Sequence, residues 1–217
     1  MKKLVILLFS LLSFATYSQN KYEQAMNSTI EAIGNFETAD DLLRLASKFE
    51  RIAAAEQDKA LPYYYSAYCY ILLSSVDKDV SKIDYYLDMA DSNIGKAEEM
   101  KDLDVELLVL RGFSSMMRIT ADPATRGQEY SMKSVEYLQR ANQKDSKNPR
   151  ALLMLGQMQF GTAQFFGTGI QDACNTFQSV NELYAKEEAE DRGLLPTWGK
   201  GQLNAMLQKC NSSESNN

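Results

Sequence analysis

Residues 148–180 read NPRALLMLGQMQFGTAQFFGTGIQDACNTFQSV, and this stretch decides the fold. An apolar helical pattern with Gly156 in its middle is followed by a second pattern marked by Ala173, Phe177 and Val180. These three markers lie on one helix face, because seven residues make nearly two helical turns. Small side chains on such a face let a neighbouring helix approach closely. The stretch therefore predicts an antiparallel pair of helices.

The same arrangement occurs twice upstream. The second-helix markers there are Ala90-Ile94-Ala97 and Ser134-Leu138-Ala141, and the small residues of the preceding helices are Ala67 and Gly112. From Ala97 to Gly112 is 15 residues, and from Ala141 to Gly156 is again 15. A constant spacing of this kind indicates a structural repeat and not merely a series of amphipathic helices.

With these residues the chain resembles the tetratricopeptide repeat, in which each unit is a helix A followed by a helix B. The best match is Leu152, Leu155-Gly156 and then Ala173, Phe177 and Val180. The units are longer than the usual ~34 residues, since 45 residues separate Ala67 from Gly112. The surplus falls between helix A and helix B, so either the helices are longer or the turns are elaborated.

Three short segments also resemble a group of short exported tetratricopeptide-like proteins of Bacteroidetes bacteria. These segments are Asn148-Pro149-Arg150-Ala151, Phe165-Phe166-Gly167-Thr168-Gly169 and Pro196-Thr197-Trp198-Gly199. The resemblance implies an exported helical-repeat protein and brings no particular activity with it.

The predicted fold is all-α, a tetratricopeptide-like α-solenoid of about four antiparallel helix pairs with a C-terminal capping helix. Helices are expected at 21–34, 39–56, 60–75, 79–99, 104–119, 124–143, 149–164, 170–186 and 199–210. Thr38 with Asp41 is a start signal for the second helix, and Asp122-Pro123 and Asn148-Pro149 mark two later starts. The repeat domain would span residues 19–210, and the polar residues 211–217 would form a disordered tail.

The first 18 residues are typical of a secretory signal peptide. A basic start at Lys2 and Lys3 precedes an apolar run that is too short to span a bilayer, and cleavage is expected before Gln19. No cysteine near that point could carry a lipid anchor, and no later segment predicts a membrane span. The expected location is outside the cytoplasm, most simply the periplasm, with the extracellular space as the alternative.

Composition argues against several function classes. The predicted mature chain has 21 basic and 29 acidic side chains, a net charge of −8, and no cluster of Lys and Arg that nucleic acid would require. The chain has no histidine, which removes the commonest general base and the commonest transition-metal ligand. No catalytic motif, phosphate loop or metal-binding spacing is present in the sequence. We therefore expect a non-enzymatic protein with no cofactor and no metal.

One set of helix-A side chains would line the inner surface of such a repeat. These residues are Tyr64, Tyr68, Val109, Phe113, Met116, Leu153, Gln157 and Phe160. An open groove of this composition favours a protein or peptide of the cell envelope as partner, with rigid rings supplying contact area. The alternative function is a carrier of a small apolar ligand or lipid in the same groove. Alternatively, the same side chains belong to the core of a compact bundle.

Three cysteines in an oxidising compartment allow one disulfide and one free thiol. Cys174 on the last helix B and Cys210 at the end of the capping helix are the candidate pair, because the cap should fold back against that helix. Cys69 lies among tyrosines in a helix A and is expected to be buried.

Overall fold

The computed structural model of the protein describes residues 19–214. Within this range the chain forms nine α-helices and one short 3-10 helix, Val80–Lys82, and contains no strand. The helices are α1 (19–33), α2 (Ala39–Ala55), α3 (Ala60–Val76), α4 (Ile83–Glu98), α5 (Asp104–Ala121), α6 (Pro123–Lys144), α7 (Pro149–Phe166), α8 (Gln171–Glu187) and α9 (Lys200–Glu214). The predicted leader, 1–18, and residues 215–217 of the predicted tail lie outside the described residues.

The helices pack as a solenoid. Each helix from α2 to α8 contacts the next one along the chain, and α3 also contacts α5, which in turn contacts α7. The first helices of successive pairs therefore lie side by side, with α4, α6 and α8 as the second helices. Leu203 and Met206 of α9 are buried, so this helix covers the open end of the last pair. The prediction of an all-α solenoid with a C-terminal capping helix is confirmed.

The small markers lie where two helices of a pair approach most closely. A Cβ atom on Gly112 of α5 would lie 2.5 Å from the Cγ atom of Leu138 on α6. In the same way, a Cβ atom on Gly156 of α7 would lie 2.6 Å from the Cε1 atom of Phe177 on α8. Each glycine therefore creates the space that the large residue of its partner helix fills, which explains why a glycine stands in the middle of α5 and of α7.

Local side-chain signals set three of the helix starts, those of α2, α6 and α7. The Thr38 side chain accepts from the Asp41 amide while the Asp41 carboxylate accepts from the Thr38 amide, which is a complete capping box at α2. Asp122 and Asn148 cap α6 and α7 in front of a proline at the first helical position. The helices from α2 to α8 are 16 to 22 residues long, so longer helices account for much of the surplus over the usual repeat length.

Two helix boundaries differ from the sequence prediction by four residues, and the others by at most two. Helix α4 begins at Ile83 and not at 79, because the Asp79 side chain accepts from the Ser81 amide and holds residues 80–82 in a tighter 3-10 turn. Helix α9 continues to Glu214, four residues into the predicted tail. In this extra turn the Ser212 hydroxyl donates to the Gln208 carbonyl and so ties the helix end to the preceding turn. Among residues 19–214, no helix has both the length and the apolar character that a membrane span requires.

Candidate functional site

The predicted groove residues lie on α3, α5 and α7, and the face that carries them is called the inner face below. Six of the eight are buried, namely Tyr64, Tyr68, Val109, Phe113, Leu153 and Phe160. Met116 and Gln157 remain partly exposed. Most of these side chains are therefore shielded from solvent. The three helices that carry them lie side by side.

A segment from the C-terminal part of the chain covers it. Residues 188–199 connect α8 to α9 without forming a helix, and they bring Trp198 onto the inner face. The indole ring stacks on Tyr68, with centroids 4.7 Å apart and planes 18° apart, and on Phe113 at 5.9 Å and 30°. Tyr68 and Phe113 are called the aromatic platform below. Trp198 is the protein's single tryptophan, and the sequence prediction did not include it in the groove.

Hydrogen bonds with three buried tyrosines hold this segment. The Tyr65 hydroxyl donates to the Leu194 carbonyl at 2.9 Å, and the Tyr184 hydroxyl donates to the Trp198 carbonyl at 3.0 Å. The indole N–H of Trp198 donates to the Tyr64 hydroxyl at 2.7 Å. Burial raises the pKa of all three phenols above the ordinary value, and the nearby Glu106 carboxylate adds to the increase at Tyr64. These phenols therefore remain neutral hydrogen-bond donors over the whole physiological pH range.

Behind the platform lies a buried ion-pair network centred on Arg150. Its guanidinium is fully buried and donates to Glu106 at 2.8 Å and to Glu187 at 2.7 Å. The Asn148 amide also donates to Glu106 at 2.7 Å, and the Tyr64 hydroxyl donates to the same carboxylate at 3.3 Å. Burial by itself would lower the pKa of Arg150, but the two carboxylates outweigh it and hold that pKa above the ordinary value. The network ties α3, α5, α7 and α8 to one another beneath the Trp198 segment.

One part of the inner face stays open, at the last turns of α3, α5 and α7. Residues 71–76, 115–121 and 157–166 contain a single charged side chain, Arg118, which pairs with Asp88 and Asp91 of α4 at 2.7 Å. The side chains called the apolar rim below are Val76, Met116 and Phe165, which are at least partly exposed and lie toward the C-terminal ends of these helices. Phe165 is 81 % exposed. In a chain with 24 % charged residues, this uncharged surface is suited to contact with an apolar molecule.

Two open clefts lie away from the aromatic platform. One, of about 730 Å³, lies between the end of α1 and the outer face of α2, with Phe36, Leu43, Lys48 and Arg51 in its wall. The other, of about 740 Å³, lies over the Arg150 network and has a mainly polar and charged wall. Neither contains a predicted groove residue. Among the described residues, no group of three or more Cys, Asp or Glu side chains is arranged to hold a metal ion.

Cys174 of α8 and Cys210 of α9 are joined in a disulfide, with their Cα atoms 5.8 Å apart. These are the two cysteines that were paired from the sequence. Cys69 is a free thiol in α3 and is fully buried, and burial raises its pKa well above the ordinary value. The bridge fixes α9 against α8, so the segment that carries Trp198 runs between two helices that are linked to each other.

The fold and the site together define an exclusively helical repeat protein, over the residues described, with an aromatic inner face. No protein-family model matches the chain, and no curated protein matches it. Among solved structures, it is similar to the HusA haemophore from Porphyromonas gingivalis, with a TM-score of 0.79 and 28 % sequence identity. The similarity covers 88 % of this chain and 94 % of that chain. It therefore extends over nearly the whole fold, including most of the helices that build the inner face.

Proposed function

We propose that this protein is an exported, non-catalytic carrier of a flat, apolar ligand of the haem class, built on a divergent tetratricopeptide-like solenoid. The observation that carries the proposal is the aromatic platform, on which a flat ring system already stacks in the form of the Trp198 indole. The similarity to a haemophore over 88 % of the chain supports the same class of ligand. A disulfide between α8 and α9 is in keeping with export, because such bonds persist in oxidising compartments.

The ligand would be held by apolar contact and ring stacking. The chain has no histidine, so the imidazole that most often coordinates haem iron is missing. Stacked aromatic pairs contribute roughly 0.5–1.5 kcal/mol each beyond the burial of their area. We therefore expect metal-free protoporphyrin to bind about as tightly as its iron(III) complex.

The experiment is a titration of the mature protein, residues 19–217, with iron(III) protoporphyrin and with metal-free protoporphyrin, followed by absorbance. The test variant is Met116→Asp, which places a negative charge on the apolar rim. The matched control is Met132→Asp, because Met132 is 62 % exposed on α6 and lies outside the inner face. Both variants are first compared with the wild type by thermal unfolding.

We expect Met116→Asp to weaken binding at least about tenfold, or roughly 1.4 kcal/mol, because a buried carboxylate against an apolar ligand is costly. Met132→Asp should bind like the wild type. Absence of porphyrin binding by the wild-type protein would refute the carrier function. Equal loss in both variants would refute the placement of the ligand on the inner face.

The protein- or peptide-binding hypothesis retains one supporting observation. Phe165 and Phe166 are 81 % and 70 % exposed, adjacent, and arranged edge to face at the end of α7. Two exposed aromatic rings of this kind can anchor a partner protein of the cell envelope. The covered inner face favours the carrier over peptide binding in that groove, because an extended peptide needs a longer open surface. A pull-down from cell envelope with Phe165→Ser/Phe166→Ser beside the wild type would test this second hypothesis.

A further inference from the structure

We propose that Trp198 holds the place of the ligand on the aromatic platform, and that residues 194–198 move aside when a flat aromatic molecule binds. This inference rests on the proposed carrier function and adds where the ring system of the ligand sits. The platform consists of two rings from neighbouring helices, Tyr68 of α3 and Phe113 of α5, and the indole lies nearly parallel to both. A surface that stacks an indole in this way also stacks a larger planar ring, because stacking depends on flat apolar faces and not on a particular outline.

Residues 194–198, called the cover below, lie between two glycines at which the backbone changes direction. Residues 188–199 form no helix, and glycines with positive φ lie on both sides of residues 194–198: Gly193 at 54° and Gly199 at 113°. Such backbone angles favour glycine, so the chain can turn sharply onto and off the inner face at these two points. The indole itself is only partly buried. Part of this residue is therefore exposed at the surface that an incoming ligand would approach.

Three hydrogen bonds attach the cover to the helices, alongside the apolar packing of Leu194, Pro196 and Trp198. Tyr65 and Tyr184 each donate one hydrogen bond to a carbonyl of the segment, and the indole N–H donates one to Tyr64. The two ends stay in place when the segment moves, since α8 is part of the solenoid and α9 is tied to it through Cys174 and Cys210. The movement is therefore local and requires no change in the packing of the helix pairs.

Competition between the indole and the ligand has a measurable consequence. A ligand that binds only the uncovered protein has an apparent affinity reduced by the fraction of molecules that are uncovered. Weakening the attachments of the cover should therefore strengthen binding of the ligand. A residue that contacts the ligand directly has the opposite effect when it is changed, so the sign of the effect separates the two roles.

The test variant is Tyr65→Phe/Tyr184→Phe, which removes two attachments and keeps both rings. The control is Tyr86→Phe, which also removes a buried tyrosine's hydrogen bond, to Asp77 at the C-terminal end of α3 and not to the segment. The probe is metal-free protoporphyrin, titrated against wild type and variants. Hydrogen exchange of the backbone amides in residues 189–199 is measured by mass spectrometry with and without the probe.

We expect the double variant to bind the probe about three- to tenfold more tightly than the wild type, and Tyr86→Phe to bind it equally. The amides of residues 189–199 should exchange faster in the complex than in the free protein, while those of α5 and α7 should exchange more slowly. Trp198→Ala should also bind the probe more tightly, provided that its thermal unfolding matches that of the wild type.

Three outcomes would overturn the inference, and they are distinguishable from one another. If the wild type binds the probe but the double variant binds it no better, the segment is not a competing cover. If exchange in residues 189–199 slows on binding, the ligand lies over a closed segment. If no variant binds any porphyrin, the carrier function fails, and the place-holding role fails with it.

Discussion

Gly156 of α7 lies against the ring of Phe177 on α8 with no room for a further carbon atom. A Cβ atom added there would lie 2.6 Å from Cε1 and 3.0 Å from Cδ1 of that ring. Phe177 is fully buried, and a rigid ring cannot rotate away from the contact as the end of a long side chain can. The close approach of these two helices therefore depends on the glycine.

We predict that Gly156→Ala lowers the free energy of unfolding by about 1–3 kcal/mol, the usual range for overpacking in a core. The measurement is urea denaturation followed by circular dichroism. Gly161→Ala in the same helix is the control, because a Cβ atom there would meet no atom within 4 Å. It should stabilise by roughly 0.5–1 kcal/mol, as alanine does in an open helical position. Equal effects of the two substitutions would contradict the packing argument.

Arg150 shows how a single residue joins several elements. Its guanidinium has no contact with solvent and donates to two carboxylates, those of Glu106 on α5 and Glu187 on α8. Removing one partner from such a buried pair leaves an uncompensated charge, which typically costs roughly 3–5 kcal/mol. The network therefore holds the helices beneath the aromatic platform in one arrangement, although replacement of all three charges by apolar residues need not be costly.

At the scale of the elements, the attachment of α9 determines how firmly the end of the solenoid is closed. The disulfide joins residues 36 apart in the sequence and closes a loop that contains the Trp198 segment. A loop of that length predicts a stabilisation of roughly 3–4 kcal/mol from the reduced entropy of the unfolded chain. Leu203, Met206 and Cys210 are the buried side chains through which α9 packs onto α8.

We predict that a reducing agent shifts the urea midpoint of the wild type to a lower concentration, by the equivalent of about 3–4 kcal/mol. Cys174→Ala/Cys210→Ala should already unfold at the lower concentration and show no further change on reduction. Cys69→Ala retains the bridge and should respond to the reducing agent like the wild type. A wild-type protein that is insensitive to reduction would contradict the stabilising role of the bridge.

At the scale of the whole molecule, buried tyrosines connect the helices of the N-terminal half to the C-terminal segment. Burial raises the pKa of Tyr22 and of Tyr86 to about 12, and it also holds the pKa values of five further tyrosines well above the ordinary value, namely Tyr64, Tyr65, Tyr68, Tyr70 and Tyr184. Because the folded pKa values lie above the unfolded value of about 10, the neutral form is the one that the fold favours. Their contribution to stability is complete below about pH 10 and is lost as the pH rises toward the folded values.

We therefore predict that the protein unfolds cooperatively in alkali, with phenolate formation and loss of helix occurring together above about pH 10. The two signals are ultraviolet absorbance and circular dichroism in one pH titration. Tyr68→Phe should move the transition to higher pH, because one buried phenol no longer ionises. Tyr85→Phe, at an exposed position, should leave it unchanged. Ionisation of most tyrosines while the helices remain intact would contradict the prediction.

Much of the fold can be predicted because its determinants are close together in the chain. Capping residues act within one helical turn, as Thr38 does on Asp41. The markers of successive pairs recur at a constant spacing, since 15 residues separate Ala97 from Gly112 and again Ala141 from Gly156. The start of α4 was harder to predict, since a single side chain, Asp79, decides between a 3-10 turn and a longer helix.

The candidate site is less accessible to sequence reasoning. The register of the first helices assigns both members of the platform, Tyr68 and Phe113, to one face of the repeat. The sequence contains no signal that Trp198 contacts these helices. The tryptophan is separated from Tyr64, to which its indole donates, by 134 residues. A lone tryptophan in a non-helical connection was the available hint, since such a large ring needs a buried partner. Arg150 lies in the segment 148–151 at the start of α7, but no local sequence pattern predicts that it pairs with Glu106 and Glu187.

The sequence by itself therefore determined the helical repeat, the helix starts, the aromatic character of the inner face and the two cysteines that can meet. The repeat, the helix starts and the aromatic character depend on periodicity and on neighbours within about two turns of helix, whereas the cysteine pair follows from the order of the last two helices along the chain. Only the tertiary structure decided that the inner face is mostly covered, that Trp198 covers it and that a buried arginine joins the helices behind it. Such contacts depend on how distant segments fill the same space, and no local spacing specifies that.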